Sequence, residues 1–391
     1  MQSIKAAVIG VGNMGSAHAS CIASGKIEGL ALSALCDISL DRQAYCRAAY
    51  PGVPCYASVR ELIGAGGVDA VVVAVPHPAH SDVAVEALRA GLHALVEKPV
   101  DVALSKARAL CDAADRSGRV FAVMLNQRTN PLFRRAREIV QGGELGQLKR
   151  TVWIITNWYR SQRYYDSGAW RATWAGEGGG VLLNQAPHNL DLWQWICGMP
   201  ASVTAYCDVA RHHRIEVEDD ATILTRYANG ATGAFITSTG EFPGTNRLEI
   251  TGDRGKLVLE SGVLKHWRLK ASERDVCFQS EETFPQIPFE YEEIRSTEPE
   301  TAHAGILRNW SNAIRLGEPL LSPGRDALGE LEISNAAYLS QWTGNAPIPL
   351  PMDTEAFDRL LAERVAASTA KQAGASAEGR TQYSKRWQVN W

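Results

Sequence analysis

A short run near the N-terminus constrains this chain more than any other feature. Ala6-Ala7-Val8-Ile9 is a buried-strand pattern, and it enters Gly10-Val11-Gly12-Asn13-Met14-Gly15, the G-x-G-x-x-G spacing at a strand-to-helix junction. Each glycine meets a separate demand. Gly10 allows the tight turn, Gly12 lets backbone approach a pyrophosphate, and Gly15 lets the following helix pack closely on the strand. The helix N-terminus then offers free N–H groups and a positive dipole end to phosphates. A second strand, Ala31-Leu32-Ser33-Ala34-Leu35-Cys36, ends at Asp37, about 20 residues beyond Gly15, where a carboxylate accepts adenosine ribose hydroxyls. The unit predicts a dinucleotide pocket lined by Gly10, Gly12, Asn13, Met14, Gly15, Asp37 and Ile38. The charge of Asp37 opposes a 2′-phosphate and Ile38-Ser39 adds no cation. NAD is therefore expected, with NADP the lesser alternative because Arg42 lies close by.

Strands and helices alternate as far as residue 126. The run Ala70 to Val75 is apolar throughout, as a central parallel strand is, and further strands follow at His93 to Val96 and Val120 to Leu125. Such alternation predicts a doubly wound parallel sheet with ligands at the C-terminal strand ends. Beyond Asn126 the rhythm changes. A strand at Thr151 to Thr156, an aromatic and basic segment from Trp158 to Trp174, and Gly178-Gly179-Gly180 precede a helix around Pro187 to Ile196. Six alternating strands between Val203 and Leu269 then read as an antiparallel meander. The acidic stretch Glu281 to Glu300 reads as a solvated excursion, and helices at His303 to Leu316 and Asp326 to Trp342 close the pattern. The expected fold is α/β: an N-terminal Rossmann domain (1–126), an α+β substrate-binding and oligomerisation domain with an open, mainly antiparallel sheet (127–374), and a tail (375–391). Trp387 and Trp391 in that tail are expected to dock on the body or a neighbouring subunit.

The 391 residues suffice for two cores, and a net charge of −3 gives no basic excess to attract nucleic acid or an anionic membrane. No apolar run approaches a membrane span and the first strand starts almost at once, so a cytoplasmic protein is expected. The eight cysteines include no C-x-x-C pair and read as reduced, buried residues. His77 and His80, and the adjacent His212-His213, lack Cys, Asp or Glu at ligand spacing, so no metal is expected.

Five segments together resemble the Gfo/Idh/MocA family of glucose-fructose oxidoreductase and inositol dehydrogenase across residues 4 to 350. They are the glycine turn, Ala-Val-Pro-His-Pro-Ala-His at 74 to 80, Glu97-Lys98-Pro99, the glycine cluster leading to His188, and Glu218-Asp219-Asp220-Ala221. The resemblance places Lys98 beside the nicotinamide and the substrate hydroxyl, and adds Pro76, His80, Glu97 and Asn126 to the cofactor contacts. An ammonium at a strand's C-terminal end suits that role, because it can stabilise a developing alkoxide. The family's second element is a carboxylate followed four residues later by histidine on one helix face. Here the pair is Asn184 and His188. Imidazole suits proton exchange near neutral pH, whereas an amide orients but carries no proton. Asp191, one turn beyond His188, is a partial substitute. Arg128, Tyr159, Arg160, Arg163, Tyr164, Trp170, Arg171 and Trp174 are the expected substrate contacts beside Lys98, Asn184 and His188, since rings stack on sugar faces and arginines grip hydroxyls or anions.

The resemblance implies an NAD-dependent oxidoreductase acting on a ring hydroxyl of a sugar, polyol or glycoside, assembled as a homodimer or homotetramer. A second reading is an NAD-holding glycosidase that oxidises a ring carbon transiently, eliminates the aglycone, adds water and reduces again. A third is a non-catalytic NAD-dependent sensor, suggested by Asn184 alone and opposed by Lys98 and His188 together.

Overall fold

The computed structural model describes residues 3–369. Strands β1 (Ile4–Ile9), β2 (Leu30–Cys36), β3 (Cys55–Tyr56), β4 (Ala70–Val73), β5 (His93–Val96) and β6 (Phe121–Val123) form a parallel sheet in the order β3-β2-β1-β4-β5-β6. Helices α1 (Asn13–Ala23), α2 (Leu40–Ala49), α3 (Val59–Ala65), α4 (His80–Arg89) and α5 (Leu104–Ser117) make the crossovers. The order reverses between β1 and β4, and open α/β sheets bind ligands outside the strand ends at such a point. All four residues of β4 are buried, as helices on both faces require.

The second half contains α6 (Pro131–Gln141), β7 (Leu148–Ile155), α7 (Gln162–Tyr165), α8 (Val181–Asn184), α9 (Pro187–Cys197), β8 (Ser202–Val209), β9 (Glu218–Arg226), β10 (Thr232–Ser238), β11 (Asn246–Gly252), β12 (Gly255–Glu260) and β13 (Val263–Leu269). It continues through α10 (Glu273–Gln279), β14 (Phe289–Ile294), α11 (Ala302–Leu316), α12 (Ala327–Trp342), β15 (Ile348–Pro349) and α13 (Thr354–Ala367). Nine strands pair in the order β14-β13-β12-β11-β7-β10-β9-β8-β15. The expected meander is thus interrupted: β7 inserts between β10 and β11, parallel to the first and antiparallel to the second. Alternation in the sequence fixes which face is buried, but not which strand is the neighbour. The buried face packs through Trp153 and Phe235, directly paired across β7 and β10, with Trp193 of α9 tilted against Phe235. Gly233 is required by that packing, since a Cβ there would lie 2.8 Å from the Trp193 ring.

Two further expectations change. The acidic excursion contains an edge strand, β14, whose glutamates face Arg268 and Lys270 of the neighbouring strand end. Helix α13, capped by the Asp353 carboxylate accepting from the Glu355 and Ala356 amides, lies beyond the helices that the pattern revealed. Trp387 and Trp391 lie outside the described residues.

Helix α11 returns to the first domain. Ile306, Leu307 and Trp310 are buried in one cluster with Ile4, Val8 and Leu95, so residues some three hundred positions apart complete the core beneath the glycine turn. On the other face of the parallel sheet a single cluster runs from Val73 and Val96 through α5 and α12 to Trp153 and Leu331. The walls of the crevice between the two sheets therefore share one close-packed core.

Candidate active site

At the cofactor end, two glycines answer to the protein itself and one to open space. Gly10 has φ +84° and a Cβ there would lie 2.6 Å from the Ala74 carbonyl oxygen, while a Cβ on Gly15 would lie 1.8 Å from that of Gly10. A Cβ on Gly12 would meet nothing within 4 Å. Gly12 is the N-cap of α1 and supplies no side-chain cap, so the helix N-terminus faces that space with Asn13 and Met14 partly exposed beside it. This is a cradle that fits a dinucleotide pyrophosphate. Asp37 stands at the tip of β2, its carboxylate accepting from the Val11 N–H at 2.7 Å and the Ser39 N–H at 2.8 Å, with Ile38 exposed at the rim. Arg42 donates to the Val11 carbonyl and the Ser16 hydroxyl, both at 2.6 Å, and lies over the Tyr45 ring.

Pro76 opens a short turn after β4. His80 does not offer its ring nitrogens to a cofactor as expected. They lie 2.7 Å from the Pro99 carbonyl oxygen and 2.8 Å from that of Val75, clamping the turn after β4 to the loop after β5.

The segment leaving β5 carries Glu97 and Lys98. Glu97 is buried, with Oε1 2.6 Å from His18 Nε2 and Oε2 accepting from the Lys98 amide at 3.1 Å. Burial pushes its carboxyl up, but the hydrogen bond and charge of His18, with His303 and Lys98 behind it, hold it down at about 2. His303 lies with its ring 5.8 Å from that of His18 and its Nδ1 3.3 Å from Asn126 Nδ2; burial lowers it to about 4. Neither His18 nor His303 has a local signature, since both lie on helices whose patterns read as ordinary packing.

Lys98 Nζ donates to the Asn184 carbonyl at 2.7 Å, its single hydrogen bond among the described residues. Burial lowers its pKa, and Glu97, Glu177 and Glu330 oppose that shift. Asn184 and His188 do not share one helix as expected. The chain breaks at Gln185-Ala186, so Asn184 ends α8 and His188 lies in the first turn of α9, after Pro187. Proline lacks the N–H that would continue the first helix, and a first turn is its favoured place. Burial and then Lys98 hold the His188 imidazole well below its ordinary pKa, and its Nδ1 is buried with no partner among the described residues. Asp191 does not serve His188; it pairs with Arg128.

The aromatic and basic segment divides in two. One group meets at the mouth of the crevice. The Tyr164 hydroxyl accepts from Arg171 (2.9 Å), Gln185 (3.2 Å) and Asn184 (3.4 Å), the Arg171 guanidinium lies 4.5 Å over the Tyr164 ring and 4.4 Å over Trp170, and Trp170 is edge-on to His77 at 6.0 Å. Glu177, absent from the sequence-based set, joins them through Asn184. The other group is structural or peripheral. Arg128 is fully buried and spent on Asp191 (2.6 and 2.8 Å), Asp326 (2.7 Å) and the Leu321 carbonyl (3.2 Å), so it is no substrate contact. Trp174 is likewise core, edge-on to Tyr338 and Trp342 at 5.6 Å each. Tyr159 is half exposed against Phe242, Arg160 donates to the carbonyls of Trp158 and Tyr159, and Arg163 is exposed on α7. Among the described residues no group of three His, Cys, Asp or Glu could hold a metal ion, and no helix is long and apolar enough to cross a membrane.

A parallel dinucleotide-type sheet, a strand-end lysine and a facing open-sheet domain define an oxidoreductase of the two-domain Rossmann class. Residues 4–125 match the oxidoreductase family with an NAD-binding Rossmann fold, and residues 133–258 match the GFO/IDH/MocA C-terminal domain; the chain belongs to the Gfo/Idh/MocA family. Its N-terminal domain is the family's NAD-binding unit. The chain is 30% identical over 222 residues to an uncharacterized oxidoreductase, C115.03, of Schizosaccharomyces pombe, covering 55% of this chain and 59% of that protein. Against the first curated relatives it spans only about half to three fifths of their length. A longer match, 25% over 362 residues covering 91% and 92% of the two chains, is to the D-apiose dehydrogenase of Paraburkholderia graminis. Among solved structures, the WlbA dehydrogenase from Bordetella pertussis in complex with NADH and UDP-GlcNAcA is 26% identical, with TM-score 0.75 over 90% of this chain and 100% of that one.

Proposed function

We propose that this protein is an NAD-dependent dehydrogenase acting on a ring secondary hydroxyl of a sugar, polyol or glycoside. The observation that carries the reading is Lys98: a partly buried ammonium, just beyond the C-terminal end of a central parallel strand, held by the Asn184 carbonyl of the second domain and close enough to His188 to help keep that imidazole neutral. Bound NAD supplies the hydride acceptor. The chain's own residues handle orientation and the proton. Lys98 donates a hydrogen bond to the reacting oxygen and stabilises alkoxide character, and His188, neutral because it is buried beside a cation, accepts the hydroxyl proton. Arg171, Tyr164 and Trp170 form the wall against which a sugar ring stacks, and Asn184 offers its amide to a hydroxyl. Residues 1–126 hold the dinucleotide and 127–374 the substrate. Asp37 favours NAD, and Arg42, engaged with Val11 and Ser16, is not directed at a 2′-phosphate. The D-apiose and WlbA dehydrogenases support the same substrate class.

The expected assembly is a homodimer or homotetramer, supported by Tyr206 and Leu224 being exposed on the face of the nine-stranded sheet away from the helices, and the expected location is the cytoplasm. Purified protein with NAD and a panel of sugars, inositols and glycosides tests the function. NADH accumulating with a keto-sugar is expected; aglycone release without net NADH would establish the oxidoreductive glycosidase instead. Tight NAD binding with neither product would leave the sensor reading.

A further inference from the structure

The family pattern places an acidic residue at position 184, and this chain supplies an amide. A carboxylate is nevertheless present. Glu177 is 2% exposed, and its side chain is held from two directions: Oε2 accepts from the Ala172 N–H at 2.5 Å, and Oε1 accepts from Asn184 Nδ2. Its own carbonyl accepts from His77 Nδ1 at 3.2 Å, and its amide donates to the Thr173 carbonyl at 2.9 Å. The next residue, Gly178, has φ +81° and leaves no room for a side chain, because a Cβ would lie 2.4 Å from Val102 in the loop after β5. The turn over 172–178 is thus fastened to the first domain at two points and carries one buried carboxylate into the site.

We propose that Glu177 is the missing carboxylate of this active site, a positioning residue that fixes the Asn184 amide and sustains the positive charge on Lys98. A carboxylate only accepts hydrogen bonds, so it dictates that Asn184 turns its NH2 group toward Glu177 and keeps Oδ1 as the acceptor for a substrate hydroxyl. The Asn184 carbonyl holds Lys98 Nζ, which couples the two. The charged groups around Lys98 are Glu97, Glu177 and Glu330, which favour the ammonium, and Arg171, which opposes it; His77, His188 and His303 are held neutral nearby. Glu97 is committed to His18, on the dinucleotide side. Glu177 is the carboxylate on the side of Tyr164, Arg171 and Asn184. Burial raises the Glu177 pKa, and Arg171 is the first of the groups that oppose that shift; its guanidinium is balanced by the carboxylate it favours, which directs the wall toward neutral hydroxyls rather than an anionic sugar.

The kinetic consequence rests on the dehydrogenase reading, whereas the charge relation does not. The test is competitive acetylation of Lys98 across pH, read by mass spectrometry on the substrate-free protein, in wild type, Glu177→Gln and Glu177→Asp. Removing the charge is expected to lower the labelling midpoint by about one pH unit. The aspartate variant keeps the charge and should titrate as wild type, while losing turnover through the released amide. Superposable curves for wild type and Glu177→Gln overturn the proposal. If the glutamine variant fails to fold, a midpoint displaced by a full unit in Glu177→Asp overturns it. Acetylation needs no substrate, so an inactive protein with the expected shift would count against the dehydrogenase reading alone.

Discussion

Lys98, partly buried, and Arg128, fully buried, are two cations placed beyond the C-terminal end of a parallel strand, and their surroundings are opposite. Arg128 has two carboxylates and a carbonyl on its guanidinium, and although burial works against it, Asp191 and Asp326 push its pKa above the ordinary value. Lys98 has one carbonyl on its ammonium and a pKa lowered by burial. A buried charge with complete partners ties elements together, here α9, the turn before α12, and the strand end. One with incomplete partners is kept at a cost in stability and is free to meet a substrate.

The largest effect expected from breaking that contrast is on stability. Arg128→Ala leaves Asp191 buried without a counter-charge and should cost about 3–5 kcal/mol in urea denaturation. A loss under 1 kcal/mol would show that the pair is dispensable. Lys98→Ala should instead cut turnover by about 10²–10³-fold, roughly 3–4 kcal/mol of transition-state stabilisation, with the urea midpoint and NAD affinity nearly unchanged. Near-wild-type activity in that variant would sink the role assigned to Lys98.

The surroundings of Lys98 should also titrate. His303 falls from 6.5 unfolded to about 4 folded, so it contributes stability that is present above pH 6.5 and lost as pH drops toward 4. The loss is on the order of 3 kcal/mol, and His303→Gln should flatten the stability curve in that window. Glu97, at about 2 against 4.5 unfolded, gives a second loss between those values, of which the variant should retain the part owed to His18. The smallest effect belongs to the cofactor rim. Asp37→Ala should weaken NAD about tenfold, or roughly 1.5 kcal/mol, and narrow the preference over NADP, both measurable by fluorescence titration.

The two ends of the site differ in how far the sequence exposes them. Gly10, Gly12, Gly15 and Asp37 lie in one βαβ unit, and their geometry follows from local backbone rules, so spacing alone located them. Lys98 is legible through the family's Glu-Lys-Pro motif, and its place at the end of a recognisable strand agrees with that role. Glu177 was not found, since its partner Asn184 belongs to another segment and a lone glutamate before a glycine cluster has no local signature. His18 and His303 were missed for the same reason. Arg128 and Trp174 read as substrate contacts in the sequence because composition shows what a side chain can touch but not what already touches it.

The sequence by itself determined the dinucleotide half and the alternation of strands and helices, because these depend on short-range periodicity and on residues with special backbone requirements, while Lys98 and His188 are legible only through the family resemblance. Only the tertiary structure decided the insertion of β7 between β10 and β11, the return of α11 to the first core, the break between Asn184 and His188, and the division of the charged residues into spent and poised. Those outcomes depend on which distant groups meet in a low-dielectric interior, where one hydrogen bond more or less sets whether a buried charge holds the fold or faces the crevice.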